Sequence, residues 1–407
     1  MKIIIKYQPE DFVVRERATI SLLDRGPYAV YLMTKRGRNT LDALREAAKF
    51  WGIPYSNCAY GGKKDRWGVT TQWVTIKGGE PKELELKDLT FNFKGYTDRQ
   101  MGPDLIEGNS FKLCVRKLSP TEAKAAVEQA QNVARNGFIN YFDDQRFGGY
   151  DATQGFLAEK LLKNHLNGTI KAFIASTRPD DKAGEKERKA YFETHWKDWR
   201  KCLEKAKTNF EKRAFTRLMN DPKAFQVLVN DIPREELTMA VSAYQSFLWN
   251  ETVRNLLVDR GWAGPSYPGV AGDYIFFEDL SARDYHYLKD MNIPHAAAKA
   301  LMTDKVIGKV YEKVLAAREI NPAMFNKMKT RTVFFKPIPR KVLVKPVDLQ
   351  AEFADDEVYS GKRKLVLEFF LPRGSYATML LKRVFASETY SQEVPLSADK
   401  ALSEPDE

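Results

Sequence analysis

Apolar and polar positions alternate in short runs through the first part of the chain, to about Tyr150: Phe91 and Phe93, then Phe111, Leu113 and Val115, with Val69 to Ile76 a further run. Alternation with a period of two predicts half-buried strands. The opening stretch Met1 to Lys6 also reads as a strand. Two segments switch to a helical period. From Thr40 to about Trp51, Leu41, Leu44, Ala48 and Trp51 fall on one stripe, and Gly52 followed by Pro54 stops it. At Ser119-Pro120-Thr121-Glu122 the serine can cap, the proline fits the first turn and the glutamate can reach back; Asn136-Gly137 ends the helix. This part is α/β or α+β.

From about Asp151 to Lys345 the texture becomes helical and more charged, most of all from Asp180 to Arg217, where Lys, Arg and Glu surround Trp196, Trp199, Phe210 and Phe215. Lys364 to Leu371 is again a strand, closed by Pro372-Arg373-Gly374. A strand that returns after a long helical excursion predicts an inserted domain, with both ends of the chain building one sheet. The expected division is 1–150 and 346–390 for the sheet domain and 151–345 for the insertion. No internal repeat is visible.

With 407 residues, 43% of them hydrophobic, the chain can bury a large core and exceeds the usual length of one domain. No segment has the apolar length of a membrane helix and the start is too short for a signal peptide, so a cytoplasmic protein is expected. Cys58, Cys114 and Cys202 lack paired spacing, and the four histidines form no ligand-like pair, which argues against a disulfide scaffold or a zinc site. The net charge of +11 is compatible with a polyanionic partner. The excess lies outside the tail 391–407, where Glu393, Asp399, Glu404, Asp406 and Glu407 face Lys400; that acidic tail reads as disordered.

Candidate chemistry is concentrated in Tyr60-Gly-Gly-Lys-Lys-Asp-Arg-Trp-Gly-Val-Thr-Thr-Gln-Trp73. Two glycines permit a tight loop, and Asp65 follows them among Lys63, Lys64 and Arg66. Such neighbours favour a charged carboxylate, suited to act as nucleophile or base, and the same cations can hold phosphates. The GxxxxGK[ST] spacing of a phosphate-binding Walker loop is absent. From the residues alone, a solvated hairpin is the commoner fate of such a turn.

The segment resembles the catalytic signature of the TruD family of pseudouridine synthases, G-x-K-D-x-x-x-V-T-x-Q. Other blocks agree in order. Lys6-Tyr-Gln-Pro-Glu-Asp-Phe-Val-Val14 is similar to the family's opening K-x-x-P-E-D-F-V-V, and Gly108 to Phe111 to its G-N-x-F. Asn140 to Gly148 matches N-Y-F-G-x-Q-R-F-G, except that Asp143 stands where glycine is usual. Ala243 to Asn250 and Leu371 to Thr378 resemble the two remaining signatures. The blocks span Lys6 to Thr378, all but the acidic tail.

The resemblance implies an α+β fold, a mixed twisted sheet of pseudouridine-synthase type with a mainly helical insertion. It implies isomerisation of a uridine in tRNA, uridine 13 of the D arm, without cofactor or metal; a monomer is expected. Asp65 would start glycosidic cleavage by attacking the sugar, attacking the base or removing a sugar proton, and Lys6 would pair with it; without the motif Lys6 reads as a solvated lysine. A base that leaves its stack needs a flat surface and polar edges. Phe142 and Tyr376 are candidates for the surface, although each in isolation reads as a core aromatic. Asn140 would hold the uracil edge or the catalytic loop, or serves as a turn residue. Gln145 and Arg146 would order the same loop, with Arg146 meeting a phosphate. Asp143 puts the turn shape in question. Exposed cations between Asp180 and Arg217, such as Arg200, Lys201 and Lys205, would grip RNA phosphates, the alternative being a solvated face. A noncatalytic structured-RNA-binding protein would explain charge and aromatics but gives no reason for Asp65 in its loop. A metal-dependent nuclease would need clustered carboxylates, a pattern Glu10, Asp11 and Asp65 do not form.

Overall fold

The computed structural model describes residues 4–178, 181–328, 330 and 333–387. The beginning of the expected first strand, Asp180 at the start of the charged run, residues 388–390 and the acidic tail lie outside the described residues. Packing divides the described residues into two compact units, one formed by those up to Phe138 and from Val344 to Ser387, the other by those between Ile139 and Leu343. The sequence reading draws these lines at 150 and 345.

The first unit is built on one ten-stranded sheet. Its strands are β1 (Ile4–Ile5), β2 (Phe12–Ala18), β3 (Tyr28–Arg36), β4 (Cys58–Tyr60), β5 (Val69–Lys77), β6 (Leu84–Leu86), β7 (Leu89–Thr97), β8 (Ile106–Leu118), Val347–Asp355 and Arg363–Pro372. Val347–Asp355 forms one edge and pairs with Arg363–Pro372, which lies beside β8, followed by β2, β5, β3, β7 and β6; β1 adds to β8 and β4 to β5. β2 and β5 run parallel, whereas β3, β7, β8 and Arg363–Pro372 pair antiparallel, so the sheet is mixed. The strand expected at Lys364 to Leu371 joins β8 through Leu365–Val115 to Pro372–Gly108, which brings both ends of the chain into one sheet.

One edge of β5 changes partner along its length. Val69 to Thr71 pair with β2, and Val74 to Ile76 pair with β4. The loop between β4 and β5 is therefore delivered where the sheet opens between two neighbours. Behind it, Ala29, Tyr31 and Met33 of β3, Val74 and Ile76 of β5, and Phe91 of β7 form a core closed by helix α1 (Thr40–Trp51). Of the expected stripe of α1, Leu44 and Ala48 are buried and Trp51 packs half-buried on Tyr31 and Phe91, and Ala43 and Ala47 join the buried face, where small side chains let the helix lie close to the sheet. Helix α2 (Pro120–Asn136) has the expected reciprocal cap: Glu122 N–H donates to Ser119 Oγ at 3.3 Å, and Ser119 N–H donates to Glu122 Oε2 at 2.7 Å. It packs on Val347–Asp355.

The second unit is mainly helical. Its axis is the helix Arg234–Asp259, in which Ala243 to Asn250 are all buried, so this stretch is enclosed on every side, with Gln245, Ser246 and Asn250 hydrogen-bonded inside it. In the charged run, Arg188 and Lys189 turn inward, Lys189 to Asp181 at 2.7 Å and Arg188 to Glu211 at 3.2 Å. Arg200, Lys201 and Lys205 remain exposed on the helix Trp199–Lys205. Among the described residues no helix is long and apolar enough to cross a membrane.

Candidate active site

The loop from Gly61 to Gly68 is fixed by sterics at both ends and by hydrogen bonds between. A Cβ on Gly68 would run into the carbonyl oxygen of Phe12, so that position admits no side chain, and one on Gly61 would displace the Ile106 side chain. Within the loop, Gln72 Nε2 donates to Gly62 O at 3.1 Å, and Lys64 N–H donates to Thr40 Oγ1 at 3.0 Å. Thr40 in turn donates to Gln72 Oε1. The threonine at the start of α1 and the glutamine of the V-T-x-Q block thus shape the turn that presents Asp65.

Lys6 Nζ lies 2.5 Å from Asp65 Oδ2, with the lysine side chain 6% and the aspartate side chain 20% exposed. The other carboxylate oxygen, Oδ1, accepts from Trp67 N–H at 2.8 Å. Lys6 Nζ also sits 4.2 Å from the Phe12 ring centre. The lysine has φ +62°, a left-handed conformation uncommon outside glycine and held only where the surroundings fix it. The solvated alternative for Lys6 therefore does not hold. Lys64 is turned away from solvent to pair with the fully buried carboxylate of Glu16 on β2, whereas Lys63 and Arg66 are exposed. Of the cations around Asp65 in sequence, these two face water.

The neighbouring acids of the opening block do structural work. Asp11 is buried against Arg116 of β8, which donates to it through Nε and Nη2 and to Asp356 through Nη1. Glu10 pairs with Arg36 at 2.7 Å. Both acids are engaged by arginines, and no cluster of three His, Cys, Asp or Glu among the described residues is placed to hold a metal ion.

Asn140, Phe142 and Arg146 belong to the second unit. Asn140 is 3% exposed; its Nδ2 donates to Lys341 O, and its Oδ1 accepts from Arg340 Nη2 at 2.9 Å. Phe142 is 4% exposed, edge-on to Trp249 and His295, with the Arg340 guanidinium 3.8 Å from its ring centre. This is the packing of a core ring, the alternative to base stacking. Burial, with Arg340 and Arg146 beside it, brings the His295 imidazole down to about 4. Asp143 has φ −78° and ψ 162°, extended backbone open to any residue, so the departure from glycine leaves the turn intact. Arg146 is exposed yet anchored, Nη2 donating to Ser242 Oγ at 2.5 Å and Nε to Ser246 Oγ at 3.4 Å. With Gln145, Phe156, Phe173 and Arg178 it lines a cavity of about 240 Å³.

Tyr376 lies in the first unit, half-buried, at the start of the helix Ala377–Val384. Three residues carry more than the sequence reading assigned. Asn250 holds the Asn140 segment with both ends of its amide, accepting from Phe142 N–H and donating to Phe142 O at 2.9 Å each; an asparagine closing the run Ala243 to Asn250, beside Phe247, Leu248 and Trp249, is the signal. Arg340, which braces Asn140 and Phe142, has no such signal. Lys35 is fully buried and donates from Nζ to the carbonyl of Asp65 at 2.5 Å. Its signal is a lysine at the inward register of a strand, after Ala29, Tyr31 and Met33.

The profile of the family tRNA pseudouridine synthase D (TruD) matches residues 1–384. A tRNA pseudouridine synthase D from Aquifex aeolicus is 31% identical over 402 residues, 96% of this chain and 100% of that protein. Another from Leptospira interrogans is 29% identical over 93% of this chain and 95% of its own length. A crystal structure of a Methanosarcina mazei protein assigned to the same family superposes with a TM-score of 0.74 at 21% identity, covering 93% of this chain and 92% of that one, and shares the fold. Matched over nearly its whole length, this chain belongs to the TruD family of tRNA pseudouridine synthases.

Proposed function

We propose that this chain converts uridine 13 in the D arm of tRNA to pseudouridine, with Asp65 as the reacting carboxylate and Lys6 as its positioning partner. The observation that carries the reading is the Asp65 carboxylate itself, anchored at Oδ2 by Lys6 and at Oδ1 by the Trp67 amide, on a loop that opens between β2 and β4. The reaction breaks the bond from C1′ to N1 and joins C1′ to C5; the C5 hydrogen leaves as a proton and N1 gains one. Oxidation state is unchanged, so the chemistry calls for no redox cofactor. Attack on the sugar, attack on the base and removal of a sugar proton all use one carboxylate held in a fixed direction. Two anchors fix that direction.

The relatives from Aquifex aeolicus and Leptospira interrogans carry the name tRNA pseudouridine synthase D, which supports tRNA as the substrate. Arg146, exposed and braced by two serines, suits a backbone phosphate, and half-buried Tyr376 suits the face of an extruded base. In this reading the chain acts as a monomer in the cytoplasm. Pseudouridine maps of RNA from cells with and without this gene test the reading. The expected outcome is the loss of one pseudouridine from tRNA D arms; identical maps would contradict it and fit a noncatalytic RNA-binding protein.

A further inference from the structure

Lys35 occupies the place where the core face of β3 would accept another apolar side chain. It has no exposed surface, and its Nζ donates to the carbonyl oxygens of Asp65 at 2.5 Å and Lys64 at 3.5 Å. A buried ammonium is costly unless its surroundings compensate it. Its cross-strand neighbours, Thr70 on β5 and Leu89 on β7, bring no charge. The charges that act on it are the Asp65 carboxylate, which favours the ammonium, and Lys64, which opposes it. Lys64 is paired with Glu16 of β2, and Asp65 with Lys6 from the turn before β2. The group beneath the loop thus combines three lysines with two carboxylates and keeps one positive charge in excess. The excess charge sits behind the residue read as the reacting acid.

We propose that Lys35 is a positioning residue for the reaction, clamping the carbonyl of Asp65 from beneath the loop and supplying the positive charge against which the carboxylate is held. The proposal rests on the reading of Asp65 as the reacting group. Burial brings the Lys35 ammonium from 10.5 down to about 8, so the clamp loses its charge just above neutrality. Below pH 8 the ammonium is present; above it, the neutral amine still donates a hydrogen bond but no longer carries the charge.

Single-turnover rates with saturating tRNA between pH 6 and 9, for the wild type and Lys35→Met, read the proposal through activity. The wild type should lose about half its rate at pH 8 and roughly nine-tenths at pH 9. Lys35→Met should be slower throughout and flat, with unchanged tRNA affinity. A flat wild-type profile, a variant with the wild-type rate, or a variant that keeps the alkaline decline would each overturn it. A second readout is independent of turnover and of the variant's folding. In protein labelled with ¹³C at lysine Cε, the Lys35 resonance should titrate near pH 8 and move to lower pH in Asp65→Asn, because the carboxylate that favours the ammonium is gone. A titration unmoved by Asp65→Asn would overturn the coupling. A wild type inactive on every tRNA, with the coupling intact, would instead sink the reaction reading alone.

Discussion

Replacing Phe142 by alanine separates a core ring from a stacking surface. The ring is 4% exposed, meets Trp249 edge-on at 5.7 Å and His295 at 5.3 Å, and carries Arg340 over its face. Truncating a buried phenylalanine costs about 3–5 kcal/mol, and losing a guanidinium on a desolvated ring costs about 1 kcal/mol more. The segment itself stays tied to Asn250 through backbone atoms, so the loss should appear as global instability of the unit Ile139–Leu343 rather than as a local opening. For a unit of that size each kcal/mol lowers the melting temperature by roughly 2–4 °C, which gives a fall on the order of 10–20 °C. Differential scanning calorimetry beside single-turnover assays at a temperature where the variant is folded is the measurement. The expected result is a large melting shift with a single-turnover rate close to wild type. A melting temperature within about 2 °C of wild type together with abolished turnover would refute the core assignment and return the ring to base stacking.

Lys6→Met should cut the single-turnover rate by about 10²-fold or more, the usual cost of removing one aligned electrostatic partner, and an unchanged rate would show that the 2.5 Å pair serves folding only. Neutralising Arg200, Lys201 and Lys205 together should weaken tRNA binding and reduce its salt slope by about two units; Lys201 is already tied to Asp198 at 3.1 Å, and a wild-type slope would make this helix a solvated face. His295 gives an acid-side signature. Its folded imidazole sits near 4, below the ordinary 6.5, so between those values the unfolded chain binds a proton that the folded chain does not. Stability present above pH 6.5 should therefore decline as pH falls toward 4, by up to about 3 kcal/mol. Denaturant titrations of wild type and His295→Gln across pH 4 to 7 check this, and equal slopes in the two proteins would contradict it.

The elements that announce themselves in sequence are those whose local chemistry agrees with their packing. Ser119, Pro120 and Glu122 cap α2 as read, because a reciprocal cap is local and owes nothing to the rest of the fold. The stripe of α1 is set instead by the sheet it covers, so Ala43 and Ala47 face inward and Trp51 is only half-buried. Asp65 was legible through its motif, and the Lys6 pair through resemblance; the geometry that joins them, a left-handed lysine and a loop at a switch of strand partners, is long-range and leaves no pattern along the chain. The same holds for Arg340, distant in sequence from the Asn140 and Phe142 it braces. Phe142 shows the opposite failure. An aromatic in such a block reads as pocket surface by resemblance and as core in isolation, and burial decides between them only once the fold is known.

If Asp65 performs the chemistry, its amide must lose the reaction and keep the RNA. Transcribed tRNA carrying tritium at uridine C5 is incubated with the wild type and with Asp65→Asn, after matched melting temperatures and matched tRNA affinities have been established. Tritium should enter water with the wild type and stay in the RNA with the variant. Release by Asp65→Asn above background would mean that another group does the chemistry.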